Sequence, residues 1–283
     1  MTAAMTGGLR RARPLLGTLV EITVWGRDAS AEHRAVAAAF EHIGLVHRLM
    51  SFHDPASDLA RYNRARPGDT LRVNRRTAEI MQRAARLQAA SGGLFDCGIA
   101  QVLIAQGLLP SPPDNSPPRG VEADAHATLV RGAHAADLGG IAKGYAVDGA
   151  VHVLQACGVS AALVNAGGDM RHFGDASHAA VDIQLRDPLA PGQPAATLRM
   201  GNRALASSAT RGLQGLPGRS ALIDGRTRQP LARAAGVSVV APECWLADAL
   251  TKIVLASGDP YHPLLQHHGA QAVLYRCETS ASA

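Results

Sequence analysis

Aromatic side chains are scarce in this sequence, since Phe, Trp and Tyr together make up 4% of its 283 residues. Proteins that bind single-stranded nucleic acids combine aromatic side chains with a basic groove, and no such stripe occurs here. The formal net charge of +5 comes from arginines spread along the chain, whose densest run, Arg10, Arg11 and Arg13, falls in a predicted N-terminal tail. We therefore expect no nucleic-acid partner, and the positive field suits a small anionic ligand instead.

Cysteines and long apolar runs are scarce as well. Cys97, Cys157, Cys244 and Cys277 lie far apart, without a C-x-x-C pair and without histidines at metal-ligand spacing. This pattern excludes the usual zinc and iron–sulfur motifs, and isolated thiols are typical of a reducing compartment. No apolar run reaches membrane-spanning length, and residues 1–14 contain no apolar stretch of the kind found in signal peptides. We therefore expect a cytoplasmic protein that does not insert into membranes.

The composition is otherwise that of a globular protein, with 47% apolar and 18% charged residues. We expect an N-terminal tail over 1–13, one domain over 14–277 and a C-terminal tail over 278–283. The predicted helices cover 31–50, 57–64 with Ser57 as its cap, 75–90, 141–157, and a segment from about 245 to 255. The predicted strands cover 16–25, 161–165, 181–185, 195–200, 205–207, 237–241 and 270–275.

The order of these elements is neither a regular β-α-β alternation nor a repeat. It favours an α+β fold, with antiparallel sheet and helices packed on it, as a single large domain of two closely packed lobes. The strands at 181–185, 195–200 and 205–207 resemble a meander. Residues 110–118 form a Pro-rich segment that predicts a surface loop.

The most informative segment is DLGGIAKGYAVD, residues 137–148. The two glycines after Asp137 allow the backbone to approach a ligand closely, and helix N-terminal amides favour phosphate or other anions. Lys143 falls in the first turn of the predicted helix, within reach of such an anion. The segment is not a Walker loop, and an ordinary turn with a solvated lysine explains it equally well when it is considered alone.

Three other segments are weaker indications of a site. NAGGD at 165–169 closes a strand, and its glycines suit a tight turn with or without a ligand. GGLFD at 92–96 places a Phe beside a carboxylate, which suits either a planar ring or an ordinary core. ADALTK at 247–252 contains Asp248 near a predicted helix start, where an Asp either caps the helix or binds a cation.

The order of the motifs along the chain is more specific than any one of them. Leu16-Gly17-Thr18, then MSFH at 50–53 with Ser57 and Asn63, resembles the FAD:protein FMN transferase (ApbE) family. The resemblance continues through GGLFD, DLGGIAKGYAVD, NAGGD, LIDGRT and ADAL, and covers about residues 14–260.

This resemblance implies a T-fold-like architecture and a defined chemistry. Family members bind FAD, use a divalent metal that is usually Mg²⁺, and transfer the FMN half to a Thr or Ser of a target protein, releasing AMP. The expected partner is therefore an acceptor flavoprotein. The metal positions fall on the Gly140 carbonyl and on Asp248, and the flavin contacts fall on Leu16, His53, Leu94, Phe95, Asp96, Asp137, Lys143, Leu222 and Ile223.

The chain departs from the family pattern at the third metal ligand. The family has a Thr four residues beyond the Asp, whereas this chain has Lys252 there and Thr251 one position earlier. An ammonium cannot ligate Mg²⁺ and repels it at contact distance. Three alternatives follow: Thr251 replaces the missing ligand, Lys252 points away, or the ammonium replaces the charge of the metal.

Further departures concern proton transfer and the turn that follows. The family's proton-transferring His falls on Ala221, which cannot do this work, so no catalytic residue is assigned. Gly225, Arg228 and Ala209 stand where the family has Pro, Gly and Gly. The departures keep other functions open: an FAD-binding protein without catalysis, an FAD pyrophosphatase that releases FMN and AMP, or a protein without a ligand.

Overall fold

The computed structural model describes residues 8–26, 28–111, 126–187, 190–210, 220–231 and 235–276. Most of the predicted Pro-rich loop and all of the predicted C-terminal tail lie outside these ranges, as does Cys277. The helices are α1 (Ala29–Met50), α2 (Asp58–Arg64), α3 (Arg75–Ala90), α4 (Ala100–Ala105), α5 (Ala142–Ala156), α6 (Cys244–Ser257) and α7 (Pro263–His267).

The strands are β1 (Leu9–Leu15), β2 (Thr18–Trp25), β3 (Thr70–Asn74), β4 (His126–Val130), β5 (Ala161–Ala166), β6 (Asp169–Phe173), β7 (Val181–Asp187), β8 (Ala190–Met200), β9 (Ala204–Ala209), β10 (Ile223–Asp224), β11 (Gln229–Pro230), β12 (Ala235–Ala241) and β13 (Gln271–Arg276).

A seven-stranded sheet in the order β1-β2-β5-β6-β9-β12-β13 forms the centre of the fold. Every neighbouring pair in it is antiparallel. The larger hydrophobic core contains residues of α1, α5 and α6 together with one set of strand side chains. A smaller core on the alternate strand positions packs against the β7–β8 hairpin. This layered arrangement confirms the predicted α+β class.

The N-terminal strand corrects the predicted tail. Leu9–Leu15 forms β1 and pairs along its whole length with β2, so Arg10, Arg11 and Arg13 belong to the sheet. Their side chains are exposed on an edge strand, which explains why the segment lacks the apolar alternation used to recognise strands. Pro14 is tolerated there because an edge strand has one side without ladder partners.

The predicted meander is also only partly correct. β7 and β8 form a separate two-stranded sheet, whereas β9 lies in the central sheet between β6 and β12. The strands β3, β4 and β6 were not predicted from the sequence. Helix α3 has the predicted bounds, and Ser57 caps α2 by accepting a hydrogen bond from the Ala60 amide at 2.9 Å.

Within the described residues, none of the helices combines the length and apolarity needed to cross a membrane.

Candidate functional site

A cavity of about 530 Å³ opens beside the N-terminal end of α5. It is lined by the β1–β2 turn, the end of α1, the loop after α3, the DLGG turn and the segment before β10. Every flavin contact implied by the resemblance lines this cavity, although the contacts come from distant parts of the chain: Leu16, His53, Leu94, Phe95, Asp96, Asp137, Lys143, Leu222 and Ile223.

The β1–β2 turn places Leu16 at the cavity. Leu15 pairs with Thr18, so Leu16 and Gly17 form a two-residue hairpin turn in which both residues have positive φ, at 56° and 72°. Such turns match the twist of the flanking strands, but they require the left-handed conformation, which is unfavourable for Leu. The strained residue thus lies at the predicted ligand site.

The loop after α3 is held against the LIDGRT segment. Arg228 donates hydrogen bonds to the Asp96 carboxylate at 2.9 Å and to the Gly98 carbonyl at 2.6 Å. The Gly225 amide donates to the Leu94 carbonyl at 3.2 Å, and a Cβ at Gly225 would overlap the Gly93 carbonyl. Proline therefore cannot occupy this position, which explains one departure from the family pattern.

Phe95 is 3% exposed and belongs to the main core while also lining the cavity. The interpretation of GGLFD as ordinary core is confirmed for Phe95, and its contact with a planar ring stays a prediction. Asp137 is the first residue of the DLGG turn, and burial raises the pKa of its carboxyl group. Its amide donates to the Cys97 carbonyl at 2.7 Å, which ties the turn to the loop after α3.

Four charged side chains meet at the N-terminal end of α5. Lys143 pairs with Asp169, the last residue of NAGGD, so the two glycine turns are adjacent in space. The Lys143 Nζ also lies 3.8 Å from Asp248 Oδ2. Burial alone would lower the pKa of Lys143, but the carboxylates of Asp248 and Asp169 outweigh it and raise that pKa. The ammonium is therefore charged at neutral pH.

Lys252 completes this cluster from α6. Its Nζ contacts Asp248 Oδ1 and donates to the Asp248 carbonyl at 3.1 Å and to Ser208 Oγ at 3.2 Å. A Cβ at Gly140 would lie 3.3 Å from Lys252 Cε, so the side chain passes directly against the DLGG turn. Lys252 thus points into the cavity, and the alternative in which it points away is wrong.

The Thr251 hydroxyl is turned away from the cavity. Thr251 is fully buried, donates to the Asp248 carbonyl at 2.6 Å and shares a hydrogen bond with Ser208 Oγ at 2.8 Å. It is absent from the residues that line the cavity. This geometry gives no support to Thr251 as a metal ligand.

The described residues do not fit the divalent metal implied by the resemblance. Both oxygens of Asp248 face ammonium groups, and the described part of the chain has no group of three His, Cys, Asp or Glu residues placed to hold a metal. At 4 Å and an effective dielectric of 20, a divalent cation and an ammonium repel by about 8 kcal/mol. Mg²⁺ also requires near-octahedral oxygen ligands, which this arrangement does not supply.

A position at a helix start predicts that Asp248 caps its own helix, but Asp248 does not do so. It lies inside α6, is fully buried, and its carboxylate accepts from the Gly144 amide near the start of α5 at 3.4 Å. In return, Asp148 of α5 accepts from the Cys244 and Trp245 amides of α6 at 2.9 and 2.8 Å. The two helices thus cap each other, and this exchange fixes Asp248 beside Lys143 and Lys252.

Ser208 and Asp169 are the site residues that the sequence reasoning missed. Ser208 directly precedes the departure at Ala209 and Asp169 ends the NAGGD segment, and neither was predicted as a site residue, yet both contact the lysines. Asn63 has a structural role: it exchanges hydrogen bonds of 2.8 and 2.7 Å with the backbone of Ala136, directly before the DLGG turn. Ala221 lines the cavity without a titratable group.

The fold and cavity define an α+β protein with a cavity beside a glycine turn, and two lysines line this cavity. The family model described as the ApbE family matches residues 16–274. This chain belongs to the ApbE family.

Relatives and solved structures agree with this assignment. The chain is 28% identical over 285 residues to the FAD:protein FMN transferase of Rhodobacter capsulatus, which covers 92% of this chain and 54% of that protein. It is 26% identical over 213 residues to the FAD:protein FMN transferase of Treponema pallidum, covering 65% of this chain and 59% of that protein. The chain thus spans a little over half the length of these curated relatives.

The fold matches the crystal structure of the ApbE protein from Thermotoga maritima with a TM-score of 0.79 at 22% identity, covering 96% of this chain and 98% of that one. It also matches the apo flavinyl transferase ApbE of Pseudomonas stutzeri with a TM-score of 0.79 at 20% identity, covering 96% and 92%. At these identities the match establishes the fold.

Proposed function

We propose that this chain is an FAD:protein FMN transferase, which moves FMN from FAD to a Thr or Ser of a target protein and releases AMP. The observation that carries the proposal is the convergence of all the expected flavin contacts on one cavity, with two ammonium groups at one end. The volume of about 530 Å³ lies in the range of small-molecule and cofactor sites. Cytoplasmic location stays a prediction from the sequence, as does the lack of nucleic-acid and membrane partners.

In the proposed orientation the diphosphate of FAD lies at the DLGG turn and the flavin ring lies toward Phe95 and Leu16. Lys143 and Lys252 neutralise part of the diphosphate charge, and the helix N-terminus of α5 adds a favourable dipole. The carboxylates of Asp169 and Asp248 hold the two ammonium groups in place. These residues bind and orient the substrate for attack.

The transfer is a substitution at the phosphorus atom of the FMN half. The acceptor hydroxyl oxygen forms a new bond to this phosphorus, and the bond from phosphorus to the bridging oxygen breaks. The bridging oxygen leaves with AMP, and the hydroxyl proton passes to the leaving phosphate or to water. Position 221 carries a methyl group, so no imidazole takes the proton there.

The test combines the purified chain, FAD and an acceptor domain known to carry FMN on a threonine. We expect AMP in the supernatant and a fluorescent acceptor band on a denaturing gel. The matched control is the same acceptor with that threonine replaced by valine. Its band should show no flavin fluorescence. Free FMN and AMP with a dark acceptor would instead identify an FAD pyrophosphatase.

A second candidate, an FAD-binding protein without catalysis, is favoured by one observation, the methyl group at Ala221. It predicts a tightly bound flavin that is recovered as intact FAD after incubation with the acceptor. Recovery of intact FAD in the same assay would reject the transferase in favour of this candidate.

A further inference from the structure

The ammonium of Lys252 lies among the groups that the resemblance assigns to the metal. It contacts the Asp248 carboxylate, its Nζ is 3.2 Å from Ser208 Oγ, and its stem passes Gly140. The Lys252 side chain is only 15% exposed. The positive charge of a side chain is thus fixed in the cavity, next to the DLGG turn.

The choice of lysine at this position is unusual within the chain. Of the 28 basic residues, only Lys143 and Lys252 are lysines, and both line this cavity. An ammonium is a compact point charge with three donors, whereas guanidinium is a planar fork. Both lysines of the chain thus lie where a compact cation contacts buried carboxylate oxygen atoms.

The side-chain oxygen atoms of Asp248 and Thr251 are already paired with other groups. Lys252 and Lys143 face the two oxygens of Asp248, and the Thr251 hydroxyl is directed to the Asp248 carbonyl and to Ser208. A divalent ion placed among these groups would meet two positive charges and too few free oxygen ligands.

We infer that the ammonium of Lys252 replaces the divalent metal, so that the site acts on a dinucleotide without a metal ion. This inference deepens the proposed function and rests on it, because the diphosphate of FAD is the anion that Lys252 contacts. A metal-dependent site obtains its positive charge from an ion in solution. Here the Lys252 ammonium supplies the charge, and its i, i+4 ion pair with Asp248 holds it in place. Affinity for FAD should accordingly not depend on Mg²⁺.

The test compares the unmodified protein with Lys252→Thr and Lys252→Met. Both variants remove the ammonium, but only threonine supplies a hydroxyl ligand beside Asp248, so methionine is the matched control. Folding of each variant is checked by thermal unfolding. Two independent measurements follow, one with a metal alone and one with FAD.

The first measurement titrates Mn²⁺ alone and detects binding by electron paramagnetic resonance. We expect no stoichiometric site in the unmodified protein or in Lys252→Met, and a new site in Lys252→Thr. A stoichiometric Mn²⁺ site in the unmodified protein that Asp248→Asn abolishes would overturn the inference. Because FAD is absent, this measurement does not depend on the proposed function.

The second measurement follows FAD binding by flavin fluorescence, in EDTA and in excess Mg²⁺. The unmodified protein should have the same Kd in both. Lys252→Met should bind about tenfold or more weakly in both, because a charged hydrogen bond is lost, whereas Mg²⁺ should restore affinity only in Lys252→Thr. Tighter FAD binding by the unmodified protein in Mg²⁺ would overturn the inference. If none of the three proteins bound FAD under either condition, the proposed function would be rejected.

Discussion

At the scale of single residues, Arg228 shows how a departure from the family pattern is accommodated. The family has glycine at this position, and Arg228 adopts a φ of 56°, a conformation that glycine adopts without strain. The strain costs on the order of 1 kcal/mol, and the bonds of the guanidinium to Asp96 and to the Gly98 carbonyl offset it. The arginine thus keeps the turn conformation and also forms an ion pair with Asp96, which lines the cavity.

Position 221 allows a direct test of proton transfer. Ala221 is exposed and lines the cavity, so an imidazole fits there without repacking the core. We expect Ala221→His to raise the rate of transfer about 100-fold, because a positioned base takes the acceptor proton. The rate should rise with pH around the ordinary imidazole pKa of about 6.5, as measured by AMP release between pH 5 and 8.

The control for this change is Ala221→Gln, which adds a polar side chain without a titratable group. It should bind FAD as the histidine variant does, without the increase in rate or the new pH dependence. Equal rates in the two variants would show that position 221 does not face the acceptor hydroxyl.

The sequence predicted the residues of the cavity better than their contacts. Leu16, Phe95 and Lys143 could be assigned from motif order, because each lies in a short conspicuous segment. The role of Ser208 could not be assigned, because its partner Lys252 is 44 positions away and meets it only when β9 packs on α6. NAGGD contains the signal for Asp169, but only the fold places that carboxylate against Lys143.

At the scale of elements, the crossing of α5 and α6 depends on one glycine. A Cβ at Gly144 would overlap the Cys244 carbonyl at the start of α6. We expect Gly144→Ala to lower the free energy of unfolding by about 3 kcal/mol, because backbone cannot move aside as a flexible side chain can. Urea denaturation measures this loss.

Gly44 in α1 is the matched control, since it is also inside a helix. The nearest atom to its Cβ position is Arg48 Nη1 at 3.5 Å, an ordinary contact with a flexible side chain. Gly44→Ala should therefore stabilise by up to about 1 kcal/mol through helix propensity. If the two substitutions had effects of the same sign, close packing at the crossing would not be the reason.

The contact between α1 and α5 should make stability sensitive to acid. A Cβ at Gly149 would overlap His42 Nε2, so the imidazole packs against the backbone of α5. Burial, followed by the charges of Arg76 and His152, lowers the pKa of His42 from 6.5 to about 4. Between these values the unfolded chain takes up a proton that the folded protein does not, so stability falls as pH falls from about 6.5 to 4.

A full shift of this size corresponds to about 3 kcal/mol, and the partial solvent exposure of His42 reduces the expected loss to about 2 kcal/mol. The measurement is the free energy of unfolding of the unmodified protein and of His42→Gln across this range. The variant should lose less stability, because position 42 no longer titrates. Parallel pH curves for the two proteins would contradict the assignment to His42.

The strands that were not predicted from the sequence were missed for two different reasons. β3 and β4 pair only with each other, from 70–74 to 126–130, so their stability comes from a contact that local periodicity does not report. β6 follows the NAGGD turn directly, and a tight turn after a strand is itself a hairpin signal. By contrast, α1 and α3 were predicted well because long apolar periodicity reflects burial on one face.

At the scale of the whole molecule, the cavity joins segments from β1 to α6 around one end of the sheet. A ligand that contacts all of them stabilises the folded chain by about 2.7 kcal/mol at 100 times its Kd. For a chain of this size we expect the Tm to rise by about 5 °C with FAD, as measured by differential scanning fluorimetry at a wavelength free of flavin emission.

FMN and AMP added separately at the same concentration serve as controls, because each occupies only part of the cavity. Each should raise the Tm less than FAD does. A shift with AMP as large as that with FAD would mean that the flavin half makes no net contribution to binding.

The restriction of lysine to the cavity has a practical consequence for chemical modification. Apart from the terminal amine, the only primary amines of this chain are the two that face the predicted diphosphate site. Acylating reagents include reactive metabolites that modify lysines throughout a cell. On this protein, nearly every amine that such a reagent can modify therefore lies in the cavity. Acylation would remove the charge where the ligand needs it, and an occupied cavity would shield both amines.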